Sequence, residues 1–242
     1  MQYFLVLTAR RGEEVTGRTV SWLLNDPIND GGQWDMAVNL VTKHGLMPKK
    51  CFPETFSCES SSRLNNILKS KLREYARILR IAIDTKKEDD SQVETRISEM
   101  MSEIYRIVGI CLGIPPVQFT WEYVDKSKQF KSVGPITPLE FYETFVKPVW
   151  NIEDKVCLVS DPRLTNPFGK TYSVDCLGNM VGGRQVVYNN QPVEVLMDLA
   201  RDSILANESV WFGCEVSKRW VATYTYDSDQ RLTLTLVIPG VA

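Results

Sequence analysis

Two long stretches of the chain repeat apolar residues at helical spacing, with polar residues between them. The first begins near the serine cluster at residues 60–62 and carries Leu64, Leu68, Leu72, Tyr75, Ile78 and Leu79. The second begins at about Ser91 and carries Val93, Ile97, Met100, Met101, Ile104, Val108 and Cys111. Only the polar loop 86–90 separates them, so the pattern predicts two amphipathic helices that form an antiparallel hairpin.

Shorter helices are predicted upstream of this hairpin. One covers Gly17–Leu24. In the next, apolar residues recur at helical spacing from Trp34 to Val41. Asn29 or Asp30 is expected to cap its amino end, and Gly45 stands where a left-handed carboxyl-terminal cap belongs.

Beyond residue 116 the pattern changes to the alternation that is typical of strands. Short strands are predicted at residues 118–123 and 130–133, which suggest a hairpin, and at residues 156–159, 172–177 and 209–216. The tail from residue 221 alternates in the same way. Thr137 and Glu140 form a capping box around Pro138, and Pro192 opens a later helix. The combination of a helical hairpin with later strands favours the α+β class.

Composition narrows the possible functions. The 242 residues carry 28 Lys and Arg against 30 Asp and Glu, which argues against a dedicated basic surface for nucleic acid. No apolar run approaches the roughly 20 residues that a membrane-spanning helix needs. The six cysteines show no C-x-x-C spacing and the start of the chain does not resemble a signal peptide, so we expect reduced thiols and no metal site or cofactor.

The candidate chemistry is sparse. The sequence contains no G-x-x-x-x-G-K-[ST], G-x-G-x-x-G, G-x-S-x-G or H-E-x-x-H motif. His44 is the only histidine and therefore the only imidazole available to activate a cysteine such as Cys51. Because His44 falls at a helix carboxyl end, where a cation interacts with the last carbonyls, we interpret it as structural. Cys111 and Cys157 lie on apolar faces and are interpreted as core residues.

One helix face is basic and offers a weaker alternative function. The first helix of the hairpin carries Lys69, Lys71, Arg73, Arg77 and Arg80 on its polar side. Such a face is able to contact phosphates, although a solvated helix face is far commoner. Nucleic-acid binding therefore stays the weakest of the functional hypotheses.

Several ordered runs of this sequence resemble the bleomycin hydrolase family over roughly residues 17 to 219. The runs are Asp30–Met36 (DGGQWDM), His44–Glu54 (HGLMPKKCFPE), Ile110–Gly113, Phe119–Tyr123, Gly134–Tyr142, Asn179–Arg184, Tyr188–Pro192 and Val210–Cys214. The resemblance implies a partial papain-like cysteine peptidase fold with a helical-hairpin insertion. It divides the chain into a remnant of the helical lobe (1–59), the insertion (60–116), a mixed strand and helix region (117–219) and an unmatched tail (220–242).

The resemblance also carries expectations about the active site. Family members use a cysteine nucleophile, a histidine, an asparagine and an oxyanion glutamine, and the segments that hold them are not recognised in these 242 residues. No catalytic residue is therefore assigned, and we expect the chain alone to be inactive. Gly31 and Gly32 match the family's Gly-Gly turn, whose backbone lines the substrate cleft, and they are assigned to substrate binding.

Two main functions remain open at this point. In the first, the chain belongs to a cytoplasmic thiol aminopeptidase that hydrolyses peptides, deamidates bleomycin and assembles as a homohexamer, as the resemblance implies. In the second, it is a non-catalytic interaction or oligomerisation module. Neither function involves a membrane.

Overall fold

The computed structural model describes residues 12–28, 31–214 and 234–239. They form two compact units. The first contains the described residues up to Gly32, Thr42–Thr144 and Asn179–Gly183, and the second contains Gln33–Val41, Phe145–Gly178 and the described residues from Arg184 onward. Helices and largely antiparallel strands occur together, so the α+β class is confirmed.

The element bounds follow the predicted order. The α-helices are α1 (Arg18–Asn25), α2 (Trp34–His44), α3 (Phe56–Glu59), α4 (Ser62–Asp84), α5 (Asp90–Leu112), α6 (Pro138–Phe141) and α7 (Val193–Leu205). The strands are β1 (Phe119–Val124), β2 (Phe130–Ile136), β3 (Lys155–Ser160), β4 (Lys170–Tyr172), β5 (Tyr188–Asn190), β6 (Trp211–Cys214) and β7 (Leu234–Pro239). Single turns of 3-10 helix cover Lys49–Cys51 and Ile152–Asp154, and a π-helix covers Tyr142–Val146.

The predicted helical hairpin is confirmed and forms the core of the first unit. Helices α4 and α5 bury one apolar cluster between them, made by Leu72, Tyr75, Leu79, Val93, Ile97 and Met100. Asp89 caps α5 through a capping box with Gln92, so the helix begins at Asp90, one residue before the predicted start at about Ser91. Tyr75 Oη donates to Glu103, which also pairs with Lys71 at 3.0 Å, so polar contacts join the two helices beside the apolar cluster.

Gly45 has a backbone conformation and a neighbour that only glycine accommodates. Its φ of +73° confirms the predicted left-handed position after α2. A Cβ at this residue would lie 2.1 Å from the carbonyl oxygen of Pro138. The same oxygen accepts a hydrogen bond of 3.0 Å from the N–H of Leu46. The chain after α2 therefore lies directly against the first residue of α6.

Two more predicted features of the first unit, a β-hairpin and a capping box, are confirmed. The β1–β2 pair is an antiparallel hairpin, in which Val124 faces Phe130 next to the turn. The capping box of α6 is formed, because the Thr137 hydroxyl accepts from the N–H of Glu140 and the Glu140 carboxylate accepts from the N–H of Thr137.

The second unit is built on a five-stranded sheet with the order β4-β5-β3-β7-β6. The β3–β5 pair is parallel and the other pairs are antiparallel. Leu196 of α7 is fully buried against Leu158 of β3. Helix α7 contacts β3 and β7, so it covers one face of the sheet at its centre.

Buried polar groups fix the loop that follows β3. Asn190, fully buried at the end of β5, accepts from the N–H of Asp161 and donates to the carbonyls of Asp161 and Asn166. The Arg163 guanidinium donates to Asp161, and this contact holds the pKa of the Asp161 carboxyl well below its usual range. These bonds compensate the burial of Asn190 and Asp161 and define the loop conformation.

Some predictions from the sequence are wrong, and others concern residues outside the described ranges. The strand predicted at residues 172–177 is wrong in its bounds, because β4 covers Lys170–Tyr172 and shares only Tyr172 with that range. Strand β5 itself was not predicted, since a run of three residues gives too short a pattern. The proposed caps Asn29 and Asp30, and the tail between residues 221 and 233, lie outside the described residues.

Candidate functional site

The Gly-Gly turn lies immediately before α2, and both of its glycines are exposed. A Cβ built on Gly32 would meet no atom within 4 Å, and its φ is not in the left-handed region. Neither packing nor backbone conformation among the described residues therefore requires glycine at residue 32. A turn without side chains leaves its backbone groups accessible to an approaching peptide.

Helix α2 begins directly after the turn and is anchored by a buried carboxylate. Asp35, only 2% exposed, accepts a hydrogen bond from the N–H of Val187 through Oδ2 at 2.9 Å. Its Oδ1 lies 2.7 Å from Nε of Arg184, which forms an ion pair by proximity rather than an aligned hydrogen bond. The positive charge of Arg184 thus compensates a carboxylate that has almost no contact with water.

Asn39, one helical turn after Asp35, binds the backbone of Arg184. Its Nδ2 donates to the carbonyl of Arg184 at 2.9 Å, and its Oδ1 accepts from the N–H of Arg184 at 2.6 Å. Asp35 and Asn39 are four residues apart and share one face of the helix. The contacts of Asp35 and Asn39 with residues 184 and 187 are called the α2 clamp below. The sequence analysis did not predict the α2 clamp, although two polar residues at that spacing on an otherwise apolar helix face are a recognisable signal.

Aromatic contacts fix the first residue of α2. Trp34 is buried and packs edge to face against Trp211, with ring centroids 5.5 Å apart, and against Trp150 at 6.2 Å. Such pairs contribute about 0.5–1.5 kcal/mol each beyond the burial of their area. Together with the α2 clamp, they make the start of α2 well defined.

The buried thiol near this helix is not prepared for nucleophilic attack. Burial, together with the charge of Asp35, raises the pKa of Cys157 to about 11. Burial, with smaller contributions from Cys157 and Asp35, raises the pKa of Tyr188 to about 12. A nucleophilic cysteine needs a lowered pKa. Cys157 is instead buried in β3, which confirms the prediction that it is a core residue. Cys111 is only half-buried.

His44 and Cys51 show no sign of acting as a pair. His44 is exposed at the last residue of α2, as predicted for a helix carboxyl end. The thiol of Cys51 donates to the carbonyl of Thr120 at 3.7 Å. Within the part of the chain that the structure describes, no hydrogen bond joins the imidazole to a thiol.

The basic side chains of α4 are largely occupied by partners within the first unit. Lys69 pairs with Asp26 at 2.6 Å, and Lys71 pairs with Glu103. Arg73 donates to the carbonyl of Leu24 at 2.8 Å. Arg80 likewise donates to the carbonyl of Glu13. This face of α4 therefore holds the start of the first unit against the helical hairpin.

Metal sites and membrane-spanning helices are both absent from the described ranges. Among residues 12–28, 31–214 and 234–239, no group of three or more His, Cys, Asp or Glu side chains is arranged to hold a metal ion. None of the helices in those ranges combines the length and the apolar character that crossing a membrane requires.

Known proteins resemble this chain over nearly all its length. A family model described as Peptidase C1-like matches residues 2–230. Bleomycin hydrolase of Homo sapiens is 51% identical over 213 residues, which cover 88% of this chain and 47% of that protein. Aminopeptidase C of Listeria monocytogenes is 41% identical over 217 residues, which cover 89% of this chain and 48% of that protein.

A solved structure agrees with the fold. PepW from Lactobacillus rhamnosis HN001 superposes with a TM-score of 0.88 at 32% identity, covering 99% of this chain and 59% of PepW. The chain spans about half the length of the curated relatives it matches. The sequence resemblance and its partial papain-like fold are confirmed, and the chain belongs to the Peptidase C1-like family.

Proposed function

We propose that this chain contributes one wall of the substrate cleft of a thiol aminopeptidase of the bleomycin hydrolase type. The substrates would be peptides, with deamidation of bleomycin as a related reaction. Identity of about half the residues to bleomycin hydrolase supports this proposal. The same family membership suggests a cytoplasmic location and assembly as a homohexamer.

The Gly-Gly turn is the observation that carries the proposal. Gly31 and Gly32 are exposed, and the space around the position of a Gly32 Cβ is open. The fold does not need glycine at residue 32, whereas an extended peptide that pairs with the backbone does.

Replacing Gly32 with alanine tests this role. We expect a tripeptide with a free amino terminus to bind the substituted chain about tenfold more weakly, because the new Cβ separates the peptide from the backbone it pairs with. Isothermal titration calorimetry measures the affinity, and thermal unfolding is expected to be unchanged because the Cβ meets no neighbour.

Gly213→Ala is the matched control, since Gly213 also has open space around it and lies in β6 rather than in the turn. We expect it to bind the tripeptide as the parent chain does. If the parent chain binds no tripeptide, or if Gly32→Ala binds it equally well, Gly31 and Gly32 do not form a peptide-binding wall.

Turnover by the purified 242-residue chain is expected to be absent. Its only histidine is the exposed His44, which no hydrogen bond joins to a thiol among the described residues, and burial raises the pKa of Cys157. The measurement is release of a fluorophore from an aminopeptidase substrate, with and without iodoacetamide. Turnover that iodoacetamide abolishes would show that the chain contains a complete thiol active site.

A further inference from the structure

The tip of the β1–β2 hairpin, residues 124–131, exposes apolar and basic side chains together. Val124 and Phe130 face each other in the ladder next to the turn, and each is 65% exposed. The lysines of this segment, Lys126, Lys128 and Lys131, are exposed as well. Residues 124–131 are called the β-hairpin tip below.

The turn within the β-hairpin tip is fixed by its own hydrogen bonds. One carboxylate oxygen of Asp125 accepts from the N–H of Ser127 at 2.8 Å and from the N–H of Gln129 at 2.9 Å. The N–H of Asp125 donates to the carbonyl of Gln129, and the N–H of Lys128 donates to the carbonyl of Asp125, both at 2.9 Å. Because the backbone is already ordered, a partner that contacts Lys126 and Lys128 does not have to order it.

Aromatic packing holds the base of this hairpin within the first unit. Trp121 stacks on Tyr123 with ring centroids 4.0 Å apart and packs edge to face against Phe141 of α6 at 5.5 Å. Successive side chains of a strand point to opposite faces, so Val124 lies on the face opposite to Tyr123. Phe130 shares that face, because it is the direct partner of Val124. The aromatic packing therefore leaves this apolar pair accessible.

The charges of the β-hairpin tip favour an anionic partner. Its three lysines outnumber its one acidic residue, Asp125, whose carboxylate lies 3.9 Å from Nζ of Lys131. Glu122 is also exposed, but it precedes the β-hairpin tip and faces Ser132 one pair farther from the turn. Positive charge is therefore concentrated at the turn, where an approaching surface would meet it first.

We infer that the β-hairpin tip binds the surface of a lipid bilayer that contains anionic headgroups. Phe130 and Val124 would enter the boundary between headgroups and acyl chains, while the lysines contact the negative charges around them. A bilayer offers both an anionic surface and an apolar layer beneath it, whereas nucleic acid or an acidic peptide offers the charge without that layer. The contact is with the membrane surface and requires no helix that crosses it.

Cosedimentation with vesicles tests this inference. We expect the purified chain to bind vesicles of phosphatidylserine mixed with phosphatidylcholine, and to bind pure phosphatidylcholine vesicles at least about tenfold more weakly. The double variant Lys126→Glu, Lys128→Glu should weaken binding to the mixed vesicles at least about tenfold, because each lysine near an anionic surface contributes about fivefold. Phe130→Ser should weaken it about tenfold, because the inserted apolar area is lost.

Lys86→Glu, Lys87→Glu is the matched control, because it changes the charge equally at two exposed lysines that adjoin the acidic residues 88–90. It should bind the mixed vesicles as the parent chain does. A parent chain that does not cosediment, or two charge variants that bind equally, overturns the inference. Binding that Phe130→Ser leaves unchanged indicates a purely ionic contact and also overturns it. Circular dichroism checks that every variant is folded, as expected for substitutions at exposed positions.

Phe130→Trp supplies a readout at the β-hairpin tip itself. Its tryptophan emission, taken as the difference from the parent chain, should shift to shorter wavelength with the mixed vesicles and be quenched by brominated lipid. Leu164→Trp should show neither effect, because Leu164 is 93% exposed but lies in the second unit. Cosedimentation without any change in the emission of Phe130→Trp would place the contact elsewhere and overturn the inference. These measurements involve neither peptide binding nor turnover, so their outcome is independent of the proposed function.

Discussion

Gly45→Ala is expected to destabilise the chain by about 3 kcal/mol or more, through two additive causes. A non-glycine residue at a φ of +73° is strained by about 1–2 kcal/mol. The added methyl group would also lie 2.1 Å from the carbonyl oxygen of Pro138, so the backbone must move and the bond from Leu46 to that oxygen must lengthen. Urea unfolding followed by tryptophan fluorescence measures the loss.

Gly169→Ala separates the two causes. Gly169 has an almost identical φ of +74°, but a Cβ there would meet no atom within 4 Å. We expect it to show only the conformational cost of about 1–2 kcal/mol. If both substitutions lower the free energy of unfolding equally, the close approach of residue 45 to Pro138 contributes nothing to stability.

Arg184→Leu is expected to have an effect of comparable size, about 3–5 kcal/mol, because it leaves the buried carboxylate of Asp35 without its countercharge. The backbone bonds between Arg184 and Asn39 survive the substitution, so the loss reports on the charge. The measurement is again urea unfolding at neutral pH. Adding Asp35→Asn should restore part of the stability, because the amide oxygen still accepts from Val187 and carries no charge.

Arg201→Leu provides the control for the ion pair. Arg201 pairs with Asp198 and Asp202, but all three side chains are mostly exposed, so we expect a change of less than about 1 kcal/mol. Two outcomes would contradict this explanation: Arg184→Leu lowers the free energy of unfolding no more than Arg201→Leu does, or the added Asp35→Asn restores no stability. Either would mean that the Arg184→Leu variant does not contain an uncompensated buried charge at Asp35.

The sequence was most informative where structure depends on neighbours along the chain. The helical hairpin, the capping box at Thr137 and the left-handed Gly45 each follow from residues a few positions apart, and all are confirmed. Periodicity and capping act locally, so a single sequence contains them.

What the sequence did not predict depends on residues that meet only in the folded chain. The bond from Val187 to Asp35 joins positions 152 residues apart, and no local pattern indicates it. Strand β5 is too short to have a period and exists because it pairs with β3 and β4. At the candidate site, family resemblance identified Gly31 and Gly32, whereas the α2 clamp required the structure.

The topology of the second unit also bears on the order of events during synthesis. Strand β3 is complete at Ser160, but its antiparallel neighbour β7 begins only at Leu234. A nascent chain therefore has to keep the central strand of this sheet unpaired on one side until the residues of β7 have been synthesised. The helical hairpin can form as soon as α5 is synthesised, since α4 and α5 are consecutive in the chain. Chaperone dependence during translation is thus expected to concentrate on the sheet, with the hairpin already folded outside the ribosome.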